Sequence, residues 1–393
     1  MEIAEHSLAV LGIVLFVGLL VPEVLVRFHI PFASSLILVG AVLGPNGLNQ
    51  IQIDDTLTLF AFLGATFQML LAGIEAGGLD LRPFERANWI PYLGGGVLPA
   101  VIGAGLALAF GLGWPGALLT ASVFMSTSIL LVFSFAEHTG VGAQEVGVRL
   151  KSATVLWELS SALLAFVLLK LVDPHPRFSL PILVGLVVSF VAFLRLFVPE
   201  IVRYAFSRFQ APTKGESERR VRFTLALLLV VLFLFTGLDV PAVIAAFLVG
   251  FALASASDMQ AIQEKLHLLG YALFIPVFLF VVGLEVDLTI FLKPDVRTVA
   301  VAAFVATAVF SKFGGSYLAS GRLGFSSRER AAFGLASTAK LTIPITTTYA
   351  ALKAGIVPSA FLSGTVIVSI LTSVMVPVVL GVASSARSKE NRA

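Results

Sequence analysis

The chain alternates long apolar runs with short polar breaks. A helix needs about twenty consecutive apolar residues to cross the hydrocarbon core of a bilayer, and counting runs of that length predicts thirteen helices. The longest polar stretch, 207–222, is too short for a soluble domain. The pattern therefore predicts an all-α polytopic membrane protein. The predicted spans are 7–26, 31–48, 56–77, 89–112, 115–136, 147–172, 179–205, 220–238, 241–256, 267–288, 298–320, 329–350 and 357–383.

The composition supports this prediction and limits the chemistry. Of the 393 residues, 58% are hydrophobic and 12% are charged, which is about half the charged fraction of a soluble protein. The chain has no cysteine, so disulfides, thiolate catalysis and cysteine metal sites are excluded. The five histidines stand singly near the ends of predicted helices, without the spacing of metal ligands. We expect neither a cofactor nor an enzyme active site.

Lysine and arginine are unevenly distributed among the predicted loops. Loops that follow odd-numbered helices hold eighteen of them, whereas loops that follow even-numbered helices hold five. Cytoplasmic loops carry an excess of basic residues, so this bias predicts an external N-terminus and a cytoplasmic C-terminus in the cell's inner (plasma) membrane. The pI of about 9.2 follows from this topology and implies no nucleic-acid partner.

Short motifs recur at a constant offset of 210 residues. The offset maps predicted helices one to six onto helices eight to thirteen, and helix seven remains as a linker. Because an odd number of helices separates each pair, the second copy should be inverted in the membrane, as in secondary transporters. This predicts a first repeat over 1–172, a linker over 173–219 and a second repeat over 220–393. The motifs are LVG at 38–40 and 248–250, GIE at 73–75 with GLE at 283–285, and TS at 127–128 with ST at 337–338.

Two of the predicted helices, five and twelve, carry polar residues at mid-span. Hydroxyl groups often serve only in helix packing, but a pair of such segments related by the repeat favours two broken helices that face each other at an ion site. Pro344 strengthens the prediction of a break, because proline removes a backbone donor. The polar residues are Ser126, Thr127 and Ser128 in helix five, and Ser337, Thr338, Lys340 and Thr342 in helix twelve.

A lone carboxylate, Glu158, lies near the middle of predicted helix six. Lys312 in helix eleven and Lys340 in helix twelve fall near the same depth. A charge at that depth costs roughly 2.5–3.5 kcal/mol even on the most lenient insertion scale, so we expect Glu158 to be paired and functional. Lys312 is its natural partner, and a purely structural salt bridge is the alternative.

Several segments together resemble the monovalent cation:proton antiporter family, of the sodium/hydrogen exchanger and Kef/Nap type. They are IPFASSLILVGAVLGP at 30–45, the TS break, the acid of helix six, GLEVDL at 283–288, SKFGG at 311–315 and LKAG at 352–355. The similarity covers essentially the whole chain. It implies a transporter that exchanges sodium or potassium for protons by alternating access, acting as a homodimer in the lipid membrane. Helices four to six and eleven to thirteen would form a moving core, and helices one to three and eight to ten a dimerising scaffold.

The resemblance also implies roles for single residues. Glu158 would hold either a proton or, transiently, a sodium or potassium ion, and Thr127 and Ser128 would add oxygen ligands. Lys312 and Lys340 would compensate charge. Trp157 stands where the family carries a further polar or acidic residue, and this favours exchange of one cation for one proton. The other residues expected to line the site are Ser126, Ser337, Thr338 and Thr342.

Other functions stay open at this point. An organic-anion carrier or a sodium-coupled symporter could use the same inverted-repeat plan, because two lysines outnumber one glutamate at mid-depth. A channel is a less favoured interpretation, because the chain has no pore-loop filter motif. An enzyme is the least favoured interpretation, because no nucleophile and base can be recognised together.

Overall fold

The architecture is α-helical wherever the structure, a computed structural model, describes regular elements. Six of the described helices are long and apolar enough to cross a membrane. The predicted class, an all-α polytopic membrane protein, is therefore confirmed. The structure describes residues 2–25, 27, 30–77, 89–129, 131–132, 145–172, short pieces between 179 and 200, 216–237, 240–254, 259–288 and 295–390.

Most helices begin and end within about five residues of the spans predicted from apolar runs, except where the breaks divide them. The helix that begins at Met259 starts before the predicted 267, and the last helix extends to Glu390, beyond the predicted 383. Much of predicted helix seven, including Arg195, and most of the linker lie outside the described residues. In chain order the helices are α1 (Glu2–Leu25), α2 (Phe32–Leu43), α3 (Asp55–Gly77), α4 (Trp89–Tyr92), α5 (Leu98–Ala109), α6 (Gly113–Met125), α7 (Glu145–Leu171), α8 (Glu216–Gly237), α9 (Ala242–Leu253), α10 (Met259–Leu269), α11 (Ile275–Leu284), α12 (Val296–Gly321), α13 (Ser327–Ser337), α14 (Thr342–Lys353) and α15 (Ser359–Glu390).

Two of the helix junctions are π-helical turns, so that α4 and α5 form one span and α10 and α11 another. The turns cover Leu93–Val97 and Gly270–Phe274. A π-turn inserts an extra residue into the helical ladder and often marks a functional position. The first of these turns contains three consecutive glycines.

Both predicted breaks are present. Helix α6 ends at Met125, and Ser126 has an extended backbone with φ −65° and ψ 155°. Helix α13 ends at Ser337, and the chain resumes as α14 at Thr342. The prediction that helices five and twelve are broken at their polar segments is therefore confirmed.

The chain folds into two compact units, each assembled from segments that are distant in sequence. The first comprises Met1–Thr58, Asp80–Ala165 and Leu279–Ala393, and the second comprises Leu59–Leu79 and Phe166–Phe278. Both broken helices and the middle of α7 belong to the first unit. Within that unit α12 packs against α5, α13, α15 and the first π-turn.

Equivalent glycines mediate close helix packing within each unit. In the first, a Cβ on Gly40 of α2 would lie 2.1 Å from the Phe280 carbonyl oxygen and 3.0 Å from the Gly283 Cα. In the second, a Cβ on Gly250 of α9 would lie 2.1 Å from the Leu70 carbonyl oxygen of α3. Gly40 and Gly250 are 210 residues apart. Small residues allow such contact between membrane helices, where burial of apolar surface gives little driving force.

We expect Gly40→Ala and Gly250→Ala each to lower the free energy of unfolding by about 1–3 kcal/mol, because the added methyl group would overlap a neighbouring backbone. Thermal unfolding of the purified protein in detergent measures the effect. Gly105→Ala in α5 is the matched control, because a Cβ there would meet nothing within 4 Å. Equal midpoints for Gly40→Ala and Gly105→Ala would contradict the close contact.

Candidate ion-binding site

The two breaks contact each other, and one of the contacts joins residues that the repeat makes equivalent. The Thr127 hydroxyl donates to the Ser337 carbonyl oxygen at 2.7 Å, and these residues are 210 apart. The backbone N–H of Ser128 donates to the Ala339 carbonyl oxygen at 2.8 Å. The broken segments thus satisfy part of each other's backbone hydrogen-bonding groups, which have no water partner in a hydrocarbon environment.

The end of α6 is neutralised by two buried lysines. The Lys340 ammonium donates to the carbonyl oxygens of Val123, Phe124 and Ser126 at 2.7, 3.1 and 2.9 Å. The Lys312 ammonium donates to the carbonyl oxygen of Met125. The C-terminal end of a helix carries unsatisfied carbonyls and partial negative charge, so cations are favourable there. The geometry therefore assigns Lys340 a contact that the sequence did not specify: it caps the broken helix.

Lys340 is also anchored through its backbone. Its N–H donates to the Thr372 hydroxyl of α15 at 3.1 Å. Because an ammonium has three donors, the three carbonyls at the end of α6 and in the break use its whole capacity. Lys340 therefore has no donor left for an anionic substrate in this arrangement.

Glu158 lies beside the first break. One of its carboxylate oxygens accepts from the Thr127 backbone N–H at 3.2 Å, and the side chain is 1% exposed. It also lies near enough to Lys312 and Lys340 to interact with both electrostatically. A buried carboxylate requires such compensation, because transfer from water costs several kcal/mol per ion. The structure therefore brings together Glu158, Thr127, Lys312 and Lys340.

Three buried hydroxyl groups lie on the first break and on α7, the two elements that carry this contact. Among the described residues, Ser126, Ser128 and Thr154 each have a hydroxyl with no hydrogen-bond partner in the protein. Buried polar groups in native proteins are nearly always satisfied, so hydroxyls without partners beside a carboxylate suggest a ligand. Thr154 was not among the residues expected from the sequence. Its place one turn before Glu158 on α7 could have suggested it, because side chains four residues apart share a helix face.

The hydroxyls of the second break have a different use. Ser337 donates to the Gly334 carbonyl oxygen and Thr338 to the Leu335 carbonyl oxygen, both at 2.7 Å. These bonds satisfy the last turn of α13. Thr342, at the start of α14, is buried. Apart from the Lys340 side chain, the second break therefore contributes mainly packing and backbone contacts.

A reciprocal pair of hydrogen bonds joins α6 to α7 next to the site. The Ser122 hydroxyl donates to the Ser161 carbonyl oxygen at 2.9 Å, and the Ser161 hydroxyl donates to the Ser122 carbonyl oxygen at 2.8 Å. Ser161 lies one turn after Glu158. The pair therefore fixes the position of α7, and with it the carboxylate, against the broken helix.

We expect Lys340→Met to lower the free energy of unfolding by about 3 kcal/mol, because several buried carbonyls would lose a charged donor. Thermal unfolding in detergent is the measurement. Lys353→Met is the control: Lys353 pairs with Glu285 at a partly exposed position, where an ion pair contributes about 0–1 kcal/mol. A loss for Lys340→Met no larger than that of the control would show that the cap is not needed.

Comparisons with known proteins identify the family of the chain. The family model described as "Sodium/hydrogen exchanger, transmembrane" matches residues 11–383. The chain is 26% identical over 381 residues to the "Probable Na(+)/H(+) antiporter 3" of Methanocaldococcus jannaschii, covering 96% of both chains. It is 25% identical over 389 residues to the "Na(+)/H(+)-K(+) antiporter GerN" of Bacillus cereus, covering 98% of this chain and 97% of the relative.

A solved structure shares the fold. The sodium proton antiporter MjNhaP1 from Methanocaldococcus jannaschii aligns with a TM-score of 0.70 and 16% identity, over 98% of this chain and 99% of that chain. At that sequence identity, the similarity supports a shared fold and nothing further. The family match extends over nearly the whole chain. The chain belongs to the sodium/hydrogen exchanger family of membrane transporters.

Proposed function

We propose that this protein exchanges sodium ions for protons across the plasma membrane, and that the two ions compete for Glu158. One observation carries the proposal. A carboxylate that is 1% exposed accepts a backbone N–H at a helix break, close to hydroxyl groups that have no hydrogen-bond partner among the described residues. Membership of the sodium/hydrogen exchanger family supports it.

The oxygens around Glu158 suit a small, hard cation. Carboxylate, hydroxyl and carbonyl oxygens are the preferred ligands of such ions. We assign the carboxylate of Glu158 and the hydroxyl oxygens of Ser128 and Thr154 to the sodium ion, with Ser126 at the edge of the same group. Thr127 holds the two breaks together through its hydroxyl while its N–H orients the carboxylate.

Competition for one carboxylate is sufficient for exchange. Either a proton or a sodium ion neutralises Glu158, and the cluster then has the same net charge in both loaded states. An empty carboxylate beside Lys312 and Lys340 is compensated by their charges. Alternating access then requires only that the broken helices expose Glu158 to one side of the membrane at a time.

The lysine contacts disfavour an organic anion as the substrate. Both ammonium groups contact carbonyl oxygens of the α6 terminus, and Lys340 contacts three of them. An anion would have to displace these helix-capping contacts. We therefore retain a cation as the substrate.

Potassium is the second candidate cation. The relative from Bacillus cereus is named a "Na(+)/H(+)-K(+) antiporter", and it matches this chain over nearly its whole length. The same oxygen ligands could hold potassium at longer distances. Both ions should therefore be tested in the same assay.

In proteoliposomes, we expect Glu158→Gln to abolish proton movement driven by sodium or potassium, because glutamine has a similar shape but cannot ionise. Glu158→Asp should keep part of the activity. The measurement is dissipation of an imposed pH gradient when the cation is added. Glu285→Gln is the matched control, because Glu285 pairs with Lys353 away from the breaks. Wild-type exchange by a folded Glu158→Gln protein would refute the proposed competition.

We further propose that the N-terminus faces outward and the C-terminus lies in the cytoplasm, on the basis of the charge bias of the loops. The chain has no native cysteine, so one introduced at Ser217 would be the only thiol. In intact cells, we expect that thiol not to react with a membrane-impermeant maleimide. It should react once the membrane is permeabilised. Labelling in intact cells would reverse the assignment.

A further inference from the structure

The residue before Glu158 makes an unusual contact with one of the buried lysines. Trp157 is fully buried, and the ammonium nitrogen of Lys312 lies 4.1 Å from the centroid of its ring. The same ammonium donates to the carbonyl oxygen of Met125 at the end of α6. Lys312 is therefore held between a helix terminus and an aromatic face, both of which attract positive charge.

The surroundings of Trp157 fix the orientation of its ring. A Cβ on Gly95 or Gly96 would lie 2.4 or 2.5 Å from ring atoms of Trp157, so these glycines leave the space that the indole occupies. The indole N–H donates to the Tyr92 carbonyl oxygen at 3.3 Å. Phe333 packs edge-on to the ring at a centroid distance of 6.3 Å.

The π-turn also brings Lys312 within reach of the ring. A Cβ on Gly315 of α12 would lie 2.0 Å from the Gly94 carbonyl oxygen, so α12 and the glycine-rich turn are in backbone contact. Gly315 is one turn from Lys312 on the same helix. Three consecutive glycines, Gly94, Gly95 and Gly96, therefore accommodate α12 and the indole together.

An aromatic face differs from a carboxylate in ways that matter for ion exchange. Its quadrupole attracts a cation, and the attraction is stronger when the pair is desolvated. It takes up no proton and does not bind sodium in competition with a carboxylate. It can therefore stabilise Lys312 without adding a second titrating acid to the site.

We propose that Trp157 is a positioning residue for ion exchange: its indole face holds the Lys312 ammonium at the Met125 carbonyl, which keeps the neighbouring Glu158 carboxylate available to the cation. The inference rests on the proposed exchange at Glu158. If the attraction between the indole face and the Lys312 ammonium weakens, the ammonium interacts more strongly with the Glu158 carboxylate. Sodium must then displace it, so the apparent affinity for sodium falls.

The alternative role of Trp157 is to fill space. Volume and electron density can be separated, because fluorine withdraws electrons from the indole face and changes its size little. The chain has three tryptophans, and Trp89 and Trp114 are about half exposed. In a Trp89→Phe, Trp114→Phe protein, 5-fluoro-, 5,7-difluoro- and 5,6,7-trifluorotryptophan can therefore be incorporated at position 157 alone.

We expect the sodium concentration for half-maximal exchange to rise at each step of the series, by about tenfold in total, with a smaller change in maximal rate. A Trp157→Phe, Trp114→Phe protein that carries the analogues at position 89 is the control and should not respond. A flat series at position 157, or a fall in maximal rate alone, would overturn the proposal.

A second measurement does not depend on transport. Thermal unfolding of the fluorinated series should show a stepwise fall in midpoint when Lys312 is present and no such fall in the Lys312→Met background. Lys312→Gln gives the same comparison if the methionine variant does not fold. Equal falls in midpoint in both backgrounds would show that Trp157 only fills space. If the unmodified protein exchanged no cation, the proposed function would fail. The comparison of unfolding midpoints with and without Lys312 would still decide whether Trp157 holds Lys312.

Discussion

A helix that ends between membrane-spanning segments leaves carbonyl groups that must be satisfied without water, and much of this site follows from that constraint. Helix α6 stops at Met125, and its last carbonyls accept hydrogen bonds from the side chains of Lys340 and Lys312. The two lysines bring positive charge into the protein interior. That charge in turn makes a buried carboxylate tolerable, and Glu158 occupies the position next to the break.

Each charged or polar group of the site is compensated by another group of the site. The carbonyls need the ammonium groups, the ammonium groups need negative or electron-rich neighbours, and Glu158 needs the positive charge. Trp157 enters this set as a neighbour of Lys312 that carries no charge. In the proposed exchange, a cation or proton binds and leaves at Glu158 while the capping contacts persist. The same interdependence explains why a chain with so few charged residues keeps Glu158, Lys312 and Lys340 fully buried.

Glycine permits the close packing on which these contacts depend. At Gly40 and at Gly250, 210 residues later, a missing side chain lets two helices meet along their backbones. Gly94, Gly95 and Gly96 do more, because they sit in a π-turn and provide room for both a neighbouring helix and an indole ring. Side chains of almost any size at these positions would separate Lys312 from Trp157. Packing and electrostatics are therefore not separate properties in this protein.

The sequence by itself determined the number and approximate ends of most helices, the two breaks and the depth of Glu158, Lys312 and Lys340. These properties are local, because the length of an apolar run and the place of a residue within it do not depend on the rest of the fold. The offset of 210 also identified Thr127 and Ser337 as equivalents, and the structure joins these two by a hydrogen bond.

Only the tertiary structure decided which groups at that common depth touch. Lys312 was expected to pair with Glu158, and the contacts that the tertiary structure shows for its ammonium are with the Met125 carbonyl and the face of Trp157. Lys340 caps α6, and Thr154 presents a hydroxyl without a partner near the carboxylate. Such contacts depend on the rotation of each helix about its axis and on the crossing of helices far apart in the chain. Apolar periodicity in helices that are hydrophobic on most sides does not encode that rotation, so the depth of each group was predictable and its neighbours were not.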